Sequence, residues 1–280
     1  MIPRFFFNIL IFEFNKLIKM KKQLIYVTLL TAIFFACKND VKKTAQKEIT
    51  PIEESIAISS TKITPISHAT AVIEFDDTVM YLDPTGGSEA FTDFENADYV
   101  LITDIHGDHM NKETLTGLDL ETTTIIAPQA VAKQLNDLKV KEIVVINNDE
   151  EKSFGNFKVE AIPMYNLREE ALKFHPKGRG NGYVLTIDNE RIYFSGDTED
   201  IPEMRNLQNI DKAFVCMNLP YTMTVESAAD GVLALKPKKI YPYHYRGTEG
   251  LSDVKKFKSM VNEKNTDIEV VQWNWYPNRK

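Results

Sequence analysis

The sequence predicts an α/β protein in which two strand-rich halves, each followed by helices, stack their sheets between helical layers. Short apolar, β-rich runs recur between residues 69 and 273, amphipathic helical stretches punctuate them, and no repeat of fixed period is visible. The chain has 280 residues, 43% hydrophobic and 26% charged, with 12 Gly and 12 Pro. It is long enough to bury its own core and too poor in Gly and Pro for a fibrous or low-complexity protein.

Taken in order, Met20-Lys21-Lys22 is a basic lead into an apolar run of 14 residues, 23–36, which ends at Cys37. At ~1.5 Å per helical residue such a run covers about 21 Å, short of the ~30 Å hydrocarbon core of a bilayer. It reads as an export signal, with translation starting at Met20. Phe34-Phe35-Ala36-Cys37 resembles a bacterial lipobox, which implies cleavage before Cys37 and a lipid on that cysteine; an uncleaved anchor is the alternative. The expected product is an extracytoplasmic, membrane-anchored lipoprotein, on the periplasmic side or at the outer membrane. Residues 38–60, polar and free of aromatics, read as a tether, and residues 61–280 as the folded domain.

Within the domain, ATAVIEF (69–75) and VMYLDP (79–84) form a hairpin signal around Asp76-Asp77-Thr78. ADYVLITD (97–104) is a buried strand, Asn111 is placed to cap a helix from Lys112, and TTTIIAP (122–128) leads into a helix over 130–138. Further strands are expected at 142–147, 153–164, 182–196 with a turn at Asp188-Asn189-Glu190, and 212–218. Helices over 224–235 and 252–263 flank a strand at 238–245, and 268–273 closes the chain as a strand. Cys216 falls in an apolar strand and reads as a buried, inert thiol without a disulfide partner.

The formal charge is −7, and residues 1–37 hold five basic residues against one acidic residue, leaving −11 for the remainder. That balance excludes a basic nucleic-acid footprint and leaves small-molecule, anionic or lipid substrates open. Oligomeric state is left open.

The five histidines, at positions 68, 106, 109, 175 and 244, all fall in polar breaks at strand ends or in loops. The densest cluster is Thr103-Asp104-Ile105-His106-Gly107-Asp108-His109. Period-two geometry sends Asp104 and His106 to one side of an extended chain, and Asp108 and His109 follow in the loop before the next helix. These side chains can meet around one or two divalent cations. A capped helix start with exposed histidines is the alternative, and it loses ground because Asp197 in Ser195-Gly196-Asp197-Thr198 and His244 in Pro242-Tyr243-His244-Tyr245 end strands in the same way.

This pattern resembles the metallo-β-lactamase-fold hydrolases over about residues 61–275. Within them it is most similar to the branch of L-ascorbate-6-phosphate lactonases and N-acyl phosphatidylethanolamine phospholipases D, through Ser67-His68-Ala69-Thr70, Tyr81-Leu82-Asp83-Pro84 and the two motifs just quoted. The resemblance implies an αββα four-layer sandwich with the metals at the edge between two sheets. It also implies that Asp104 and His106 serve one metal, that Asp108, His109 and His244 serve another, and that Asp197 bridges them. Asp104 stands where the family has its first motif histidine. The segment that often ends in the next histidine ends here in Asn166, so either His175 or Asn166 completes the first site. Carboxylate or amide in place of imidazole shifts that site from zinc toward manganese or iron(II). The second site keeps its full set and should hold zinc.

The expected activity is hydrolysis of an ester, lactone or phosphodiester by a metal-activated hydroxide, with Asp108 and Asp197 orienting it and His68 or His175 protonating the leaving group. Asn166, Lys177 and Arg179 are candidate substrate contacts, the last two as anion binders in a basic loop; a solvated turn is the alternative for that loop. Trp273 and Trp275 are expected either to wall the pocket or to lie in the core. A different class of function, a lipid-anchored metal-binding protein with a degenerate first site and no turnover, stays open at this point.

Overall fold

The structure, a computed structural model, describes residues 61–277. The export signal, Cys37, the tether and the proposed start at Met20 lie outside the described residues.

The first sheet runs in spatial order through β1 (Lys62–Ser67), β2 (Thr70–Phe75), β3 (Thr78–Leu82), β4 (Tyr99–Leu101), β5 (Thr124–Ala127) and β6 (Glu142–Val145). Its first three strands are antiparallel, and β3 to β6 are parallel. The second sheet is built from β7 (Glu151–Phe154), β8 (Phe157–Met164), β9 (Gly180–Ile187), β10 (Glu190–Phe194), β11 (Lys212–Val215) and β12 (Lys239–Pro242). A small hairpin, β13 (Arg246–Gly247) with β14 (Gly250–Leu251), precedes β15 (Glu269–Val270), which joins the second sheet beside β12. From β10 to β15 the strands of that sheet are parallel, and from β7 to β10 antiparallel. Five helices accompany them among the described residues: α1 (Lys112–Gly117), α2 (Gln129–Ala132), α3 (Pro202–Arg205), α4 (Val225–Leu235) and α5 (Val254–Lys264).

Strand alternation divides the first sheet into two buried faces. Ala71, Ile73, Met80, Leu82, Leu101 and Ile126 enter a core shared with Phe157, Val159, Leu185 and Phe194 of the second sheet. Val72, Val100, Ile102 and Ile125 turn the other way, against Leu115 of α1 and Val131 of α2. Val232 of α4 and Phe257 and Val261 of α5 join the larger cluster. The result is an α/β sandwich of two mixed sheets with few helices, consistent with the metallo-β-lactamase fold.

Local expectations fared unevenly, for physical reasons. Asn111 caps α1 by accepting from the backbone N–H of Thr114 at 2.8 Å, and Asp188 and Asn189 make the expected hairpin turn with φ of 48° and 68°. Strand β1 was not expected: Pro65 breaks its alternation, and the structure tolerates this proline at a sheet edge where the pairing shifts between Pro65 and Ser67. The expected single strand over 153–164 is a hairpin, because Gly155 turns the chain at φ 58°. The expected helix over 130–138 is one turn, Gln129–Ala132, after which i to i−3 bonds such as Gln134 N–H to Val131 O at 2.8 Å take over. Asn136 and Asp137, weak helix formers, sit where it would have continued. The last strand shortens to Glu269–Val270. Trp275 is fully buried, and Trp273 packs against the same core. Cys216 is buried and free, and burial pushes its thiol up to about 12.

Candidate metal centre

The parallel strands β3, β4, β10 and β12 end on one side of the sandwich, and the residues that follow them converge there: Asp83 after β3, Thr103 to His109 after β4, Asp197 after β10 and His244 after β12. His68, in the turn between β1 and β2, reaches the same place, as do His175 and Arg179 from the connection between β8 and β9. Three of these positions hold non-glycine residues in the left-handed region, His68 at φ 58°, Asp83 at 42° and His244 at 45°. Each such conformation costs on the order of 1 kcal/mol and persists because the surroundings over-determine it. Here the His244 N–H donates to the His68 carbonyl at 3.1 Å, and the His68 N–H donates to the Trp275 carbonyl at 3.2 Å.

Three groups of donors form, each with ligand atoms within 4.8 Å of one another: His68, Asp108 and His244; His109, Asp197 and His244; and Asp104, His106 and His175. In the first two, His244 Nε2 lies 3.3 Å from Asp197 Oδ1, 3.5 Å from Asp108 Oδ2 and 3.1 Å from His109 Nε2. His109 is aimed by residues behind it. Its Nδ1–H donates to Asp83 Oδ2 at 2.8 Å, while Asp83 also accepts from the Thr103 hydroxyl at 2.6 Å and the Thr103 backbone N–H at 2.8 Å. That fixes the tautomer and leaves the Nε2 lone pair facing the site. The carboxylate of Asp83 does this from the YLDP motif, whose role sequence reasoning had not assigned.

His68 Nε2 lies 3.2 Å from Asp108 Oδ2, and its Nδ1 lies 2.7 Å from the hydroxyl of Tyr276, a contact for which the sequence held no signal. Burial, with the neighbouring His244 charge, lowers His68 to about 4. Burial works against ionisation of Asp197, yet His244, His109 and His175 hold its carboxyl well below the usual range. Asp108 is likewise opposed by burial and held low by hydrogen bonds to His244 and His68. The carboxylates are therefore ionised and ready to ligate.

His175 Nδ1–H donates to the Tyr221 carbonyl at 3.2 Å, which turns Nε2 toward Asp197 Oδ2, 3.2 Å away. At the third group, Asp104 and His106 lie 2.9 Å apart, and Arg179 forks onto Asp104 through Nε at 3.0 Å and Nη2 at 2.7 Å. Lys177 pairs with Glu203 at 2.7 Å, and Asn166 donates to the carbonyls of Ala171 at 2.8 Å and Tyr221 at 2.7 Å. The cleft beside the cluster is lined by His68, His106, Asp108, His175, Asp197 and Arg246, and not by Asn166, Lys177 or Arg179. Among the described residues Arg246 has no carboxylate partner; it lies over the Tyr276 ring at 5.8 Å.

These donors fit a divalent metal ion. Asp197 Oδ1 and His175 Nε2 are buried without a hydrogen-bond partner, an arrangement that costs free energy unless a cation completes it. Imidazole nitrogens and carboxylate oxygens around such a point are the donor set of hydrolytic zinc and manganese sites.

An α/β sandwich that gathers histidines and carboxylates at the ends of its parallel strands defines a metallohydrolase, and comparison with known proteins bears this out. A family profile described as the beta-lactamase superfamily domain matches residues 62–244, so the chain belongs to that superfamily and is a metal-dependent hydrolase. A metal-dependent hydrolase of Pyrococcus horikoshii is 28% identical over 214 residues, 72% of this chain and 93% of that protein. One from Archaeoglobus fulgidus is 29% identical over 222 residues, 75% and 94% of the two chains. Among solved structures, a candidate metal-dependent hydrolase from Parabacteroides distasonis superposes with a TM-score of 0.68 at 39% identity, covering 76% of this chain and 92% of that one. A metallohydrolase from Ignicoccus hospitalis shares the fold at 19% identity and a TM-score of 0.63, over 76% and 95%.

Proposed function

We propose that the chain hydrolyses a small ester, lactone or phosphodiester that carries a negative charge, at a centre held by Asp108, His109, Asp197 and His244, with His68 beside them and zinc as the working metal. The observation that carries this reading is the convergence of the Asp197 carboxylate and the His244 and His109 imidazoles, with Asp197 Oδ1 and His175 Nε2 buried there without a hydrogen bond. A divalent cation held there would act as a Lewis acid, lowering the pKa of water toward neutrality and offsetting charge on the substrate oxygen.

The chain's own residues supply the rest. Asp83 and Thr103 hold His109 in one tautomer, and Asp108 and Asp197 orient the attacking water through their ionised oxygens. His175, its Nδ1–H tied to the Tyr221 carbonyl, turns the Nε2 lone pair to the cleft, where it is placed to take a proton from the attacking water and pass it to the leaving group. His68, low in pKa and locked between Tyr276 and Asp108, suits support of Asp108 better than proton delivery. Arg246 favours an anionic group on the substrate, since Lys177 and Arg179, expected to bind it, are engaged with Glu203 and Asp104. A lactonase-like or phospholipase-like substrate fits this reading, as does presentation of the domain outside the cytoplasm on a lipid at Cys37.

The test is a panel of lactones, carboxylic esters and phosphodiesters assayed with the chelator-stripped chain and after readdition of Zn²⁺ or Mn²⁺. Turnover that requires metal and is lost in Asp197→Asn supports the reading; turnover that survives stripping removes it. Labelled fatty acid incorporated by the wild type and not by Cys37→Ser tests the anchor separately.

A further inference from the structure

The two ends of the cluster differ in what faces their carboxylates. At the Asp197 end, Oδ1 is buried with no hydrogen-bond partner. At the Asp104 end both oxygens are taken: Arg179 Nε donates to Oδ1 at 3.0 Å and Nη2 to Oδ2 at 2.7 Å. The same Nη2 lies 3.3 Å from His106 Nε2 and donates to the Phe174 carbonyl at 2.6 Å. His106 turns its other nitrogen to Asp104 at 2.9 Å, so the nitrogen left for a metal faces the guanidinium instead.

The backbone builds this contact in. The Asn181 N–H donates to the Thr103 carbonyl at 2.9 Å, which pins the start of β9 beside Asp104. Gly180 makes the approach possible, because a Cβ there would stand 2.9 Å from the Thr103 carbonyl oxygen and 3.2 Å from Asp104 Oδ1. Asp104 is fully buried, so its charge needs a fixed partner, and arginine keeps its charge at every accessible pH in a fork that matches a carboxylate.

We propose that this centre is built for one metal ion, with the Arg179 guanidinium standing permanently in place of a second cation on Asp104 and His106. The inference rests on the metal-dependent hydrolase reading above. A second dication at Asp104, His106 and His175 would have to displace the guanidinium and break its bonds to Asp104 and the Phe174 carbonyl. Among the described residues no guanidinium or ammonium group pairs with Asp108 or Asp197, where the ion at Asp108, His109, Asp197 and His244 would sit. In this chain the aspartate that replaces the expected first histidine is one half of an internal ion pair rather than a harder metal ligand.

The test counts metal. The full chain is stripped with chelator, reloaded with excess Zn²⁺ or Mn²⁺, desalted and measured by plasma mass spectrometry. The expected counts are one ion per chain for the wild type, one for His106→Ala, and two for Arg179→Met. If Arg179→Met does not fold by circular dichroism, Arg179→Gln, which keeps a donor without the charge, is counted in its place with the same expectation. Two ions in the wild type, one of them lost in His106→Ala, would overturn the inference and leave the hydrolase reading intact. A single ion in the folded Arg179 variant would also overturn it, since the guanidinium would not be what excludes the second. No ion in a folded wild type would remove both readings.

Discussion

Asp83 shows how much of the centre depends on a side chain that touches nothing in the cleft. It is fully buried, accepts three hydrogen bonds from Thr103 and His109, and decides which nitrogen His109 presents. Asp83→Ala should therefore weaken zinc binding about 10- to 100-fold, as loss of an orienting partner does elsewhere, read by competition with a fluorescent chelator. Unchanged affinity would show that His109 is oriented by other means. Gly180 is the second such position. Gly180→Ala sets a Cβ against the Thr103 carbonyl oxygen and the Met164 side chain and should destabilise the fold by about 1–3 kcal/mol in thermal melts. The histidines and Asp197 were legible in the sequence because each falls in a polar break at a strand end or in a loop. The bond of Arg179 to Asp104 was not, since the two residues are 75 apart and a loop arginine between glycines reads as a free cation. Tyr276 and Thr103 carried no signal either, because their work is defined only by what the fold sets beside them.

At the scale of elements, the loop that carries His175 is fastened at its start by the pair of Arg168 with Glu199. Arg168 Nε donates to the buried Glu199 Oε1 at 2.6 Å, and its Nη2 donates to the carbonyls of Pro220 and Thr222 at 3.1 and 2.8 Å. Glu199 also accepts from the backbone N–H groups of Leu167 and Arg168 at 2.9 Å. Three connections, those following β8, β10 and β11, are thus fastened together beside the cleft. Arg168→Ala leaves Glu199 short of a partner and should cost about 2 kcal/mol, which for a domain of this size lowers Tm by roughly 4–8 °C. Because the same strap positions the Tyr221 carbonyl that holds His175, kcat should fall along with Tm; a melt unchanged from the wild type would contradict this account. The element boundaries that the sequence misplaced have a common cause. Pro65, Gly155 and the Asn136-Asp137 pair are each local signals whose outcome was decided by the position of the segment in the sheet, at an edge, in a hairpin or beyond a single helical turn.

Over the whole molecule, the parallel strands of both sheets deliver Asp104, Asp108 and Asp197 to one end of the sandwich, with Arg179 the one guanidinium paired with them among the described residues. A cation bound among these carboxylates in the folded chain should stabilise the fold by mass action, about 2.7 kcal/mol at a metal concentration 100 times Kd. Chelation should lower Tm by roughly 5–10 °C and readdition should restore it, read by differential scanning calorimetry. An unchanged Tm in a chain shown to bind metal would mean that the site is not coupled to folding. The sandwich itself was legible from strand and helix alternation, whereas the crossing of two chain halves at one metal centre came from motif spacing and resemblance rather than periodicity.

The most direct test is anomalous diffraction from crystals of the zinc-loaded chain at the zinc edge. The account predicts an anomalous peak enclosed by Asp108, His109, Asp197 and His244. Crystals in which those four side chains are ordered, zinc is present in the medium and no peak appears among them would contradict it.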